Sequence, residues 1–107
     1  MRKAVRKLPE APTDEQLHGV RKKEKRARYA GELAGRKKFV KRAKRLQDVL
    51  GEHQDAVVAV ERLRDLAAEA PQEQALAAGR LIERETERRA EARAAWPKAW
   101  KRLRKAI

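Results

Sequence analysis

Residues 17–33 read LHGVRKKEKRARYAGEL, with six Lys or Arg side chains and one histidine ahead of or beside Tyr29. At about 100° per residue, His18, Arg21, Lys25, Arg28 and Glu32 fall within an arc of roughly 80°. Leu17, Val20, Ala27 and Ala34 fall on the neighbouring arc. This segment is therefore an amphipathic helix whose cationic stripe flanks its buried face. Arg21, Lys25 and Arg28 would form a track of ~15 Å, long enough for a linear polyanion to meet several charges at once. Arg offers forked donors to phosphate oxygens and Lys a point charge.

Local signals extend the helical reading in both directions. Thr13 and Gln16 fit a capping box, so the helix starts near residue 14 and runs to about Ala34, with Gly35 in the left-handed position beyond it. A second helix is expected from about Lys37 to Leu50, ending at Gly51. A third runs from Asp55, as N-cap, to Ala70 before Pro71, and a fourth from about Gln72 to Ala95. Pro97 kinks this last helix or opens a final turn. The expected fold class is all-α, an up-and-down bundle of about four antiparallel helices. Residues 1–13 read as a basic tail and linker, and 14–107 as the helical domain.

Core positions on these helices are small. Phe39, Ala43, Leu46 and Leu50 form one stripe, Ala56, Val60, Leu63 and Ala67 a second, with Leu81 and Ile82 on the fourth helix. At ~25 cal/mol per Å2 of apolar surface such a core is marginal for a lone monomer, so a homodimer or a missing half is expected as partner.

The 107 residues carry a net charge of +13, and that charge is segregated. Leu17 to Arg45 holds thirteen Lys or Arg against Glu24 and Glu32, whereas Leu46 to Ala95 holds seven basic and eleven acidic residues. A field this polarised points to a polyanionic partner near the first two helices. On the second helix Lys37, Lys41 and Lys44 form a stripe like the first, with Arg45 beside it. Periodicity does not decide whether the two stripes face one groove.

Other function classes fare poorly. The chain has no cysteine and no serine, and two histidines, which rules out disulfides, cysteine zinc sites and the usual nucleophile triads. No P-loop occurs, and no enzyme activity, metal or cofactor is expected. No apolar run approaches the ~20 residues of a membrane span, and with no signal-peptide core the expected location is the cytoplasm.

The segment LHGVRKKEKRARYAGEL resembles the first motif of the CHAD family, the conserved histidine α-helical domain, through Leu17, His18, Arg21, Lys25, Arg28, Tyr29 and Glu32. A second family motif is matched by LQDVLGEHQDAVV, through Leu46, Gln47, Leu50, Gly51 and Asp55. The resemblance covers about residues 14–95 and corresponds to the C-terminal half of the usual two-part domain. It implies non-catalytic binding of inorganic polyphosphate in a basic groove, with His18, Arg21, Lys25, Arg28, Lys37, Lys41, Lys44 and Arg45 as binding residues. The competing reading is a nucleic-acid-binding or helical interaction module using the same basic face.

Several residues receive plainer roles. Lys22, Lys23 and Arg26 lie off the stripe as solvated charge. Tyr29 is expected to pack, Trp96 and Trp100 to cap one end of the bundle, and Glu32 to orient Arg28 or Lys25 through an ion pair. Glu24, at the centre of the apolar arc, faces a missing half or pairs with a cation. His53 is given no role.

Overall fold

The computed structural model describes residues 1–107, of which 85% are helical with no strand. A five-residue helix α1 (Arg2–Arg6) precedes α2 (Asp14–Leu33), α3 (Lys37–Glu69) and α4 (Gln72–Arg104). The two expected middle helices are one. Gly51 and Asp55 both lie inside α3, so neither ends nor caps a helix. The buried stripe explains the continuity: Leu46, Val49, Leu50, His53, Ala56 and Val60 keep helical spacing straight through Gly51. One interior glycine costs roughly 0.5–1 kcal/mol, less than breaking that stripe would. By the same logic α4 passes through Pro97, because Ala92, Ala99, Trp100 and Leu103 are buried on either side of it.

The expected boundaries of α2 and the α3–α4 turn are met. Thr13 Oγ1 accepts from Gln16 N at 3.1 Å and Gln16 Oε1 from Thr13 N at 2.9 Å. At the other end Gly35 takes φ +70°. There Arg36 N donates to Gly31 O at 2.9 Å and Gly35 N to Glu32 O at 3.2 Å, the paired closure of a Schellman end. Ala70 is extended ahead of Pro71, which stops α3.

Contacts fix the packing directions. Gly31 of α2 lies against Phe39 and Val40 of α3, while Arg21 lies against Gly51, so α2 and α3 run antiparallel. Arg42 meets Arg102 and Asp55 meets Arg88, so α3 and α4 are antiparallel too. The core occupies the end where all three long helices overlap, built from Leu17, Val20, Phe39, Ala43, Leu46, Val49, Leu50, Ala92, Ala99, Trp100 and Leu103. Met1, Val5 and Leu8 pack on it, so the first thirteen residues contribute more than a tail. Beyond the reach of α2, α3 and α4 continue as a two-helix arm, giving a molecule 54 Å long. The expected core thins out along that arm. Leu63 and Ala67 are only half-buried, and Leu81 is exposed.

Three arginines close the C-terminal end of α4. Arg42 donates to Arg102 O at 2.9 Å, Arg36 to Ala106 O at 3.0 Å and Arg2 to Arg104 O at 3.4 Å. Cations here satisfy carbonyls that lack helical partners and complement the negative end of the helix dipole.

Candidate polyanion-binding face

The first turn of α2 is bolted to the other two long helices. Asp14 accepts from Arg89 Nη2 at 2.9 Å and from Arg93 Nη2 at 2.8 Å, and His53 Nε2 of α3 lies 3.1 Å away at ion-pair distance, outside hydrogen-bond alignment. Burial pulls the Asp14 carboxyl upward, but the hydrogen bonds and charge of Arg93 and Arg89 outweigh it and hold the group below its ordinary range. His53 is fully buried, and burial pushes its imidazole below the ordinary histidine value, with Asp14 opposing. His53, given no role from sequence, is thus the α3 member of the joint that orients the basic stripe.

Along α2 the five stripe residues part company. His18 and Arg21 are half-buried, with His18 Nδ1 and Arg21 Nε lacking any hydrogen-bond partner. Arg21 crosses α3 where Gly51 offers no side chain, at 3.9 Å from the point a Cβ would occupy. Lys25 is exposed. Arg28 is buried, its Nε donating to Glu24 Oε1 at 3.1 Å and its Nη1 lying 3.5 Å from Glu32 Oε1. Glu24 therefore pairs with a cation, and Glu32 orients Arg28. Glu24 is 0% exposed. Burial raises its pKa, Arg28 and Arg21 pull it back, and Asp48 adds to the rise. Tyr29 is half-exposed, with the Arg28 guanidinium 5.0 Å from its ring centre, so it is less packed than its place in the stripe implies. Trp100 belongs to the core and Trp96 packs against it.

On α3, Lys37, Lys41, Lys44 and Arg45 are all exposed. Lys41 and Arg45 turn toward α4 and line a cleft of about 400 Å3 together with Lys38, Arg42, Ala99 and Arg102. No α2 residue and no carboxylate lines it. The two stripes thus do not share this cleft. Lys38 and Arg42 were legible in the sequence, as the i and i+4 neighbours of the stripe. Arg102 was not, because only the α3–α4 register brings it there.

Ion pairing is distributed unevenly. Acidic residues pair with Arg88, Arg89 and Arg93 of α4 and with Arg28. His18, Arg21, Lys25, Lys37, Lys41, Lys44 and Arg45 are in no ion pair. The two acids of the basic segment, Glu24 and Glu32, are both taken up by Arg28, which leaves the other cations of α2 and the first turns of α3 available.

Comparison with known proteins identifies the family. The CHAD domain family matches residues 1–64, which takes in α1, α2 and most of α3. The chain is 35% identical over 96 residues to the uncharacterized proteins Rv2226 and MT2285 of Mycobacterium tuberculosis, strains ATCC 25618 / H37Rv and CDC 1551 / Oshkosh respectively. Each alignment covers 88% of this chain and 19% of the relative, so the chain spans about a fifth of the length of these proteins. No solved structure matches. The CHAD family is associated with polyphosphate binding. With its matched motifs on α2 and α3 and its all-helical fold, this chain belongs to the CHAD domain family.

Proposed function

We propose that this chain binds inorganic polyphosphate, without transforming it, through the cations of α2 and the first half of α3. The observation that carries the reading is the concentration of cations from Leu17 to Arg45, where Glu24 and Glu32 are the only acids and both are taken up by Arg28, leaving His18, Arg21, Lys25, Lys37, Lys41, Lys44 and Arg45 in no ion pair. Unpaired like charges repel one another, and a linear polyanion relieves that repulsion while releasing counterions. Arg28 acts at one remove, by holding Glu24 and Glu32 in place beside Arg21 and Lys25. The face is one wall of a groove. The facing wall is supplied by a second copy, or by further residues of a longer protein of which this is the C-terminal half-domain.

A nucleic-acid reading draws on the same charge and lacks a place for bases. Trp96 and Trp100 lie in or against the core, and Tyr29 sits beside its own Arg28. That leaves no aromatic platform for single strands. Competition at matched phosphate concentration and moderate salt separates the two. Long-chain polyphosphate should displace duplex DNA from the protein well below the concentration at which DNA displaces polyphosphate. Equal retention would defeat the proposal.

A further inference from the structure

We infer that the cleft between α3 and α4 is a separate seat for a short inorganic oligophosphate, and that Lys38, Arg42 and Arg102 bind there with Lys41 and Arg45. The inference rests on the polyphosphate reading and names a place on the molecule that the α2 stripe does not reach. Lys38, Lys41, Arg42 and Arg45 occupy i, i+3, i+4 and i+7 on one face of α3, and Arg102 faces them from α4. Five cations surround a space of about 400 Å3, and none of them is in an ion pair. Arg42 is already held, its Nη1 donating to Arg102 O at 2.9 Å, so its guanidinium is oriented before a ligand arrives. An arginine fixed in this way loses less freedom when it binds phosphate oxygens.

The lining also states what the ligand lacks. Ala99 is the one apolar residue of the cleft. Sites for organic molecules are lined mainly by apolar and aromatic groups that cover the ligand's body. Here nothing would cover a nucleobase, a sugar or an acyl chain. The space is that of a small ligand rather than of an extended groove. A bare run of phosphates fits both the charge and the size.

The probe is sodium tripolyphosphate, titrated calorimetrically into the full chain at about 0.15 M salt, where long-range attraction is screened beyond ~8 Å. Saturable binding at one site per chain is expected. The Lys38→Ala, Arg42→Ala, Arg102→Ala triple variant, which keeps every cation from His18 to Arg45 assigned above to the polyphosphate face, should bind at least about tenfold more weakly, since charge-assisted contacts to phosphate are lost. The Lys22→Ala, Lys23→Ala, Arg26→Ala triple removes the same charge from an exposed face of α2 and should cost less than about threefold. Circular dichroism of both variants checks that each is folded. ATP should bind no more tightly than tripolyphosphate. Equal losses from the two triples, or a clear preference for ATP, would overturn the inference. Long-chain binding without saturable tripolyphosphate binding would overturn it and leave the polyphosphate reading standing, whereas failure of both probes would remove both.

Discussion

Arg28 Nε donates to Glu24 Oε1 at 3.1 Å, one turn apart on α2, and the carboxylate it meets is completely buried. A cation that sequence spacing assigns to the ligand is thus committed to the protein. Breaking a buried pair from one side costs about 3–5 kcal/mol, because the remaining charge has no partner. Arg28→Ala should therefore lower stability by roughly that amount, as measured by urea denaturation. Burial raises the Glu24 pKa, so in the variant the native state holds a proton that the unfolded state releases. The deficit should grow as pH rises above the ordinary glutamate value and shrink in acid. A deficit that does not change with pH would refute the buried Glu24 pairing as its cause, and a loss of polyphosphate affinity with stability intact would show that Arg28 faces the ligand after all.

This pair also marks where the sequence stops being readable. Local chemistry gave the ends of α2, since a capping box and a left-handed glycine are set by a few adjacent residues. Gly51 and Asp55 carry similar local signals, yet α3 runs through both because the buried stripe from Leu46 to Val60 continues past them. Tertiary burial overrides local propensity there. The cationic stripe of α2 was legible as periodicity. Its division into half-buried, exposed and ion-paired members depends on what α3 places opposite each position, and periodicity contains no such information. His53 and Arg102 became meaningful only through contacts with α2 and α3 far away in sequence.

Gly31 marks a close approach between α2 and α3. A Cβ there would sit 2.6 Å from Phe39 Cδ1, a carbon of a buried aromatic ring that cannot swing away. Gly31→Ala should destabilise by about 1–3 kcal/mol through overpacking, despite alanine's better helix propensity. Gly19 has nothing within 4 Å of its would-be Cβ. Gly19→Ala should be neutral or should stabilise by up to about 1 kcal/mol. Thermal unfolding of the two variants side by side tests the claim, and the same sign of effect in both would refute it.

The outer arm of α3 and α4 leaves large apolar groups in water, with Leu66 at 66% and Leu76 at 63% exposure. Several such leucines on one two-helix arm are more apolar surface than a monomer of this size usually shows to solvent. Light scattering at micromolar concentration should give a mass above that of one chain. The Leu66→Glu, Leu76→Glu double variant should return it to monomer with helicity unchanged. A wild-type protein that scatters as a strict monomer would contradict this expectation.

The joint of Asp14, His53, Arg89 and Arg93 makes stability depend on pH through two groups. His53 faces Asp14 from α2 and Arg89 and Arg93 from α4, and burial lowers its folded value below that of an unfolded histidine. Between those two values the unfolded chain binds the extra proton, so stability is complete above the unfolded value and is lost as pH falls through the folded one. Asp14 behaves in the same direction at lower pH, because its folded value is also depressed. Its contribution is present above about 3.8, the unfolded reference, and disappears as pH falls through the folded value. The melting temperature should therefore drop between about pH 6.5 and pH 5, before most carboxylates titrate. His53→Gln keeps a polar side chain but cannot take up a proton, so that part of the slope should flatten while the steeper loss below pH 4 remains. Asp14→Asn should remove the lower limb and, by leaving Arg89 and Arg93 without their carboxylate, lower stability at pH 7 as well. The decisive comparison is the slope of melting temperature against pH from 7 to 5 in the wild type and in His53→Gln. Parallel slopes would mean that His53 is not the group that titrates, and that the joint holds α2 through Asp14, Arg89 and Arg93 without a proton-dependent contribution from the imidazole.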